Sequence, residues 1–408
     1  MSPPNRSLHG AITERDLKCF KYYDQLLPLL ESLHADATDR DKAGNRQLFY
    51  DQYASLLLLA FFNPILTSLR GLQQVSELDK VQRLLGVGRV SLGALSEAST
   101  VFDPALLRAI VHELADRAVL AAPPPGQRSP SPQEREALAG LTAADGTLLA
   151  ALPRMLWALW RDDQHHAAKL HLQLDVFQNV PLEATLTTGS GAGIAAETAQ
   201  LQANLQAGRL YVMDRGYASF ALFCAILDAG SSFVARVKDN TAFTVAHENP
   251  ISTEAAAAGV VRDVVVAKLG TEHHKDFLHR PVRLVLVEFI KRDGTRTTLW
   301  LVTDRLDLPA ELVALAYRYR WTIELFFRWF KCILGCRHLF AESANGVAIQ
   351  CYCALIASLM IVLWTGLRPT KRTWEMLQLY LSGWATLDEL ERHLASRRRL
   401  ASADLHAA

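Results

Sequence analysis

The chain has 408 residues, of which 50% are apolar and 21% charged, a balance that supports two or three folded domains and excludes wholesale disorder. Lys and Arg total 43 against 42 for Asp and Glu, so no global positive field marks a polyanion partner, and any nucleic-acid contact must come from local clusters. Six cysteines at irregular spacing do not form a disulfide framework and fit a reducing compartment.

Residues 1–20 scatter charge without an apolar core, which predicts no secretory leader. From about residue 10 to 118 the pattern is helical, with apolar residues three and four apart through Tyr23, Leu26, Leu27 and Leu30, then Tyr53, Leu56, Leu57, Ala60 and Phe61. Asn63-Pro64 ends that second run, and Asp103-Pro104 opens a third, with Asp at the cap and Pro in the first turn. Residues 121–133 (AAPPPGQRSPSPQ) read as a linker or long exposed loop.

Beyond the linker, residues 141–150, 169–177 and 182–188 read as strands, 195–206 as a helix, 209–213 as a short apolar strand and 220–227 as a helix. That succession is a mixed α/β class. Between Ser231 and Asp304, β-branched runs at 233–237, 260–267, 282–289 and 297–302 predict an all-β insertion. After Pro309 the chain reads as helical throughout, first from Ala310 to Gly335. Residues 347–367 carry no charge and precede Arg368, Lys371 and Arg372, so they are long enough to span a bilayer. Gln350, Tyr352, Ser358 and Thr365 interrupt the stretch and it stands alone, which favours a buried core helix and no membrane partner.

Two aspartates fall at equivalent places. Asp145 lies within the apolar strand LTAADGTLLA, and Asp214 directly follows LYVM. A turn or cap role would explain either alone, but a carboxylate in or at the end of a buried strand needs a cation or a metal. A third element joins them: Tyr317, Arg320, Glu324 and Lys331 fall within an arc of about 60° on an ideal helix. The stripe could be a solvated ion-pair ladder built on Arg320 and Glu324, yet Ile323, Phe326, Phe327 and Phe330 would bury most of that helix. Two carboxylates from strands and one from a packed helix suit phosphoryl transfer with two hard divalent ions, held about 3.5–4 Å apart by oxygen ligands.

The motifs Asp145-Gly-Thr, Asp214-Arg-Gly-Tyr and Tyr-x2-Arg-x3-Glu-x6-Lys, the last spanning Tyr317 to Lys331, resemble the catalytic motifs of DDE transposases of the IS-four insertion-sequence family. The resemblance covers about residues 20–370 and includes the β-rich insertion between the second Asp and the Glu. It implies an RNase H-like catalytic core in which Asp145, Asp214 and Glu324 hold two Mg2+ ions, replaceable by Mn2+, for cleavage at transposon ends and strand transfer. Tyr317, Arg320 and Lys331 would contact end DNA near the scissile phosphate, with Arg215 and Lys169 as further candidates for DNA contact. Trp300 sits where the family can stack a tryptophan on a flipped base, as a hairpin intermediate requires; its alternation with apolar neighbours equally fits a core tryptophan.

The implied partners are double-stranded DNA, as terminal inverted repeats and as target, and a second copy in a synaptic homodimer, in a bacterial cytoplasm at the nucleoid. The implied organisation is a helical N-terminal domain (1–120), a linker (121–134), a catalytic core (135–230 and 305–370), the insertion (231–304) and a helical tail (371–408). A nuclease of the same fold without strand transfer, or a catalytically silent DNA-binding derivative, remains the alternative.

Local charge agrees, with five basic residues and one acid between Tyr317 and His338. Residues 1–60 hold seven basic and eight acidic side chains, so a DNA-binding role there rests on the resemblance. Arg397-Arg398-Arg399 reads as a solvated charge run. Lys169 and His171 alternate on one face of the strand next to that of Asp145, so either could enter the site. Cys332, Cys336, Cys351 and Cys353 lack zinc-knuckle spacing and read as buried thiols, and the pairs His165-His166 and His273-His274 are assigned no metal.

Overall fold

The computed structural model describes residues 29–34, 46–63, 65–118, 130–150, 155–160, 162–188, 194–270, 278, 280–290, 294–332, 335 and 339–406. Tyr23, Leu26, Leu27, Pro64, most of the expected linker, His273, His274, Cys336, Arg337 and His338 lie outside them, as do the side chains of His165, His166 and Cys332. In chain order the helices of the first part are α1 (Tyr50–Phe62), α2 (Leu69–Ser76), α3 (Asp79–Leu85), α4 (Leu92–Val101), α5 (Pro104–Arg117) and α6 (Pro132–Ala137). A mixed region follows with β1 (Leu141–Ala150), β2 (Leu159–Trp160), β3 (Asp162–Asp175), β4 (Val180–Thr188), α7 (Ile194–Ala203), β5 (Leu210–Met213), α8 (Phe220–Asp228) and β6 (Ser232–Arg236). Next come β7 (Phe243–Glu248), α9 (Thr253–Ala257), β8 (Val260–Leu269), β9 (Val282–Ile290) and β10 (Arg296–Thr303). The chain closes with α10 (Ala310–Tyr319), α11 (Trp321–Cys332), α12 (Ala344–Thr365), α13 (Lys371–Leu381) and α14 (Leu387–His406). It divides into two units, one of Met1–Ala121, Ala150–Trp157 and Arg328–Ala401, the other of Ala122–Leu149, Ala158–Phe327 and Ser402–Ala408.

The first unit is helical. The α1 sequence YDQYASLLLLAFF is apolar on all sides, and eleven of its residues are buried, as such a helix requires. Asp103 caps α5 by accepting the Ala105 N–H at 2.9 Å, with Pro104 in the first turn, as expected. The uncharged stretch forms α12, packed against α1, α4 and α5. Among the described residues it is the one helix long and apolar enough to cross a membrane, and 89% of its most apolar window is buried inside the protein. Gly346 permits that packing, because a Cβ there would stand 2.4 Å from Ala341 Cβ and 2.8 Å from Ser99 Cβ. Cys351 and Cys353 lie buried on α12, where burial pushes both thiols upward, so they stay protonated. Arg398 and Arg399 are exposed, as a solvated charge run requires, and Arg398 Nη2 also donates to Thr365 O at 2.8 Å.

The second unit is built on one ten-stranded mixed sheet of order β2-β3-β1-β5-β6-β10-β9-β8-β7, with β4 pairing β3. β1, β5 and β6 run parallel, whereas β4 is antiparallel to β3 and β6, β10, β9, β8 and β7 pair antiparallel in turn. The region expected as an all-β insertion contributes strands β6 to β10 to the same sheet, and it includes a short helix, α9, with Ser252 as cap. Its one-turn length leaves no apolar period to read. Gly140 lets β1 start beside the β5 turn: its φ is +72°, and a Cβ would fall 2.5 Å from Gly208 O. A buried ion pair, Arg283 to Asp263, ties β9 to β8, and Arg283 also donates to Leu308 O ahead of α10.

The helix expected from Ala310 to Gly335 is two. Arg320 keeps right-handed helical angles, but the ladder tightens there: its N–H donates to Tyr317 O and Ile323 N–H to Arg320 O, both three residues apart. Arg320, at the joint, still reaches Tyr317 before it and Glu324 after it.

Candidate active site

Strand register brings the two aspartates together. Ala144 and Met213 are Cα partners at the last paired position of parallel strands β1 and β5, so Asp145 and Asp214 follow side by side where the pairing ends. Met213 is likewise level with Ala235 on β6, which puts Arg236 alongside Asp214. Each aspartate folds back on its own turn: Asp145 Oδ1 accepts the Gly146 N–H at 2.8 Å, and Asp214 Oδ1 the Arg215 N–H at 2.7 Å.

The α10–α11 joint closes over them. Tyr317 Oη donates to Asp214 Oδ1 at 3.1 Å, and Arg320 Nη2 donates to Glu324 Oε1 at 2.7 Å. The Arg320 guanidinium also stands 5.6 Å from the centre of the Tyr317 ring. Burial pushes the Asp145 carboxyl up to about 6; Gly146 N–H and Arg320 pull it down, while Glu324 and Asp214 push it further up. Burial acts in the same sense on Asp214, but the Arg215 N–H, Arg320, the Tyr317 hydroxyl and Arg236 outweigh it and hold that carboxyl below the usual range. Burial, then Asp214, drives the Tyr317 phenol up to about 12, so it stays a donor. Asp145 thus lies within electrostatic reach of both Asp214 and Glu324, and the Arg320 guanidinium within reach of all three.

Among the described residues no three His, Cys, Asp or Glu side chains converge tightly enough to ligate one ion. The donor set still fits a hard divalent cation in kind. It is all carboxylate, and the Asp145 carboxyl is raised partly by its two acidic neighbours, a penalty that added positive charge relieves. Arg320 supplies that charge here, and a metal would compete with it for Glu324.

The remaining expected residues are placed as follows. Lys331 lies on α11 in the stretch that belongs to the first unit. The Arg215 side chain is exposed. Trp300 is half-buried on β10, its ring edge-on to Phe243 at 5.4 Å and packed on the apolar cluster of the sheet. Lys169 is 7% exposed, and its ammonium pairs with Glu197 on α7. His171 is buried, with Nε2 bonded to Thr187 Oγ1 at 2.8 Å and Nδ1 unpartnered; burial, then Lys169, lowers its pKa to about 4 and keeps the ring neutral.

Sequence reasoning passed over Arg236 and Glu197. Only the strand register reveals Arg236, since SFVA on β6 aligns with LYVM on β5 and Arg236 follows level with Asp214. Nothing local marks Glu197, which meets Lys169 only through the packing of α7 on β3.

Residues 137–360 match the family described as "Transposase DDE domain". The chain is similar to "Putative transposase y4zB" of Sinorhizobium fredii, at 29% identity over 55% of this chain and 60% of that protein. It is also similar to "Probable transposase for insertion sequence element IS5377" of Geobacillus stearothermophilus, at 27% identity over 53% of this chain and 54% of that one. A third likeness, to "Putative transposase for insertion sequence element IS4SA" of Synechocystis, runs at 21% identity over 67% and 72%. The match therefore spans little more than half the length of the first two relatives.

Proposed function

The chain belongs to the DDE transposase family, and from that premise we propose that it cleaves DNA at transposon ends and joins the freed 3′-ends to target DNA. The observation that carries this reading is the register of β1 and β5, which sets Asp145 beside Asp214 under the helix joint bearing Arg320 and Glu324. A sheet in which an antiparallel hairpin (β4, β3) flanks three parallel strands (β1, β5, β6) supports an RNase H-like core. The likeness to the IS4SA protein supports the IS-four branch.

Asp145, Asp214 and Glu324 would hold the two divalent ions, Mg2+ or Mn2+. Those ions, when bound, supply activation of the attacking water or 3′-hydroxyl and stabilisation of the leaving oxygen. The protein's own part is orientation and charge. Tyr317, protonated, fixes one Asp214 oxygen and so decides which lone pairs stay open. Arg320, released from Glu324, has a planar fork suited to a phosphate. Arg236, whose Nε is buried without a partner, adds fixed positive charge beside Asp214. Lys331 and Arg215 would bind the DNA backbone, and Trp300 would stack a displaced base only with the part of its ring that Phe243 leaves free. Two copies in a synaptic dimer would pair the ends, in the cytoplasm where the element's DNA resides.

The test is cleavage of a duplex carrying the element's ends in Mg2+. Asp145→Asn, Asp214→Asn and Glu324→Gln are each expected to abolish cleavage while end binding persists. Mg2+-dependent cleavage retained by any one of them removes that residue from the site, and cleavage by the wild type without joining of pre-cleaved ends assigns a nuclease instead.

A further inference from the structure

One buried ion pair borders the acidic residues without belonging to them. Lys169 on β3 and Glu197 on α7 are both largely shielded from solvent, with side chains 9% and 18% exposed. The lysine stem lies over Gly146, the residue after Asp145: a Cβ there would stand 2.6 Å from Lys169 Cε and 3.5 Å from its Nζ. Glu197 reaches the other way, its Oε2 lying 3.8 Å from where Gly216 would carry a Cβ, within the turn that follows Asp214. The pair thus joins the two aspartate turns, and the absence of a side chain at Gly146 makes room for it.

The ammonium has a choice of anions. Asp145 is within its electrostatic reach, and a cavity lined by Asp145, His171 and Glu197 adjoins the pair. A buried ammonium cannot remain unpaired, and a lysine stem is flexible enough to exchange one carboxylate for another. Whichever carboxylate takes it is lost to a metal.

We propose that Glu197 is a positioning residue that holds the Lys169 ammonium off the Asp145 carboxylate and so keeps Asp145 open to a divalent cation. The inference rests on the metal-dependent reading above and assigns Lys169 an internal partner in place of a DNA phosphate. With Glu197 made neutral, Lys169 turns to Asp145 and competes with the metal.

The test measures Mn2+ binding to the full chain, by calorimetry and by the electron paramagnetic resonance of free Mn2+, for wild type, E197Q, K169M and the double variant, with thermal melting as a check on folding. E197Q is expected to weaken Mn2+ binding at least about tenfold, K169M to bind at least as tightly as wild type, and the double variant to return to within about threefold of it. E197Q binding as wild type does, or a folded double variant staying as weak as E197Q, overturns the proposal. If E197Q fails to fold, K169M decides, since a folded K169M that binds tenfold more weakly contradicts a competing ammonium. A wild-type chain that binds no Mn2+ defeats the metal-dependent reading and this inference together, whereas wild-type binding with an unaltered E197Q defeats this inference alone.

Discussion

Replacing Asp145 with asparagine removes one negative charge, keeps the side-chain shape and leaves a carbonyl oxygen to accept the Gly146 N–H. In the wild type this carboxyl titrates near 6 instead of 3.8, chiefly through burial and then through Glu324 and Asp214. A folded-state pKa raised above the unfolded value gives a contribution that is complete below 3.8 and lost as pH rises through 6. Above that pH, ionised Asp145 costs the folded state about 3 kcal/mol, taking 1.36 kcal/mol per pH unit as the conversion. Asparagine does not titrate, so Asp145→Asn should equal the wild type near pH 4 and exceed it at pH 8 by up to about 3 kcal/mol. At about 2–4 °C per kcal/mol for domains of this size, the melting temperature in chelator should rise by about 6–12 °C at most. Mg2+ should reverse the order by binding and stabilising the wild type alone. The assay is a melting series from pH 4 to 8, with and without Mg2+. Equal wild-type and variant curves across that range in chelator would refute the reasoning, because Asp145 would then carry no buried, mutually repelled charge.

Other perturbations follow from particular contacts. Tyr317→Phe removes the hydroxyl bond to Asp214 and, at about 1.5–3 kcal/mol for a bond to a charged group, should slow cleavage about 10- to 100-fold. Asp263→Ala strands Arg283 in the sheet and should cost about 3–5 kcal/mol in urea unfolding, most of it recovered when Arg283 is changed to Met as well. Gly346→Ala forces a methyl against Ala341 and Ser99 and should cost about 1–3 kcal/mol, read as a lower urea midpoint for the helical unit.

The strands and helices that position the aspartates were legible because their apolar runs are short and bounded by turn residues: 141–150 and 220–227 match β1 and α8 to within a residue. The acidic pair was legible too, since each carboxylate ends or interrupts a run that otherwise has only a core to face. The joint at Arg320 was not, because three-residue and four-residue hydrogen bonding differ in one turn while the apolar period continues through both. Strand pairing is equally silent in sequence. The β-branched runs after Ser231 say strand but not sheet, and register alone makes them an extension of β6 through β10. Lys169 shows the limit most plainly, because its position on the right face suggested a DNA phosphate while its partner, Glu197, sits on another element.

The central claim is that Asp145, Asp214 and Glu324 jointly hold the catalytic metal. Anomalous diffraction from crystals soaked in Mn2+ tests it most directly: density bounded by carboxylate oxygens of all three residues, with Arg320 withdrawn from Glu324, is the predicted result. Manganese bound elsewhere, or held with Glu324 still locked to Arg320 and taking no part, would contradict it.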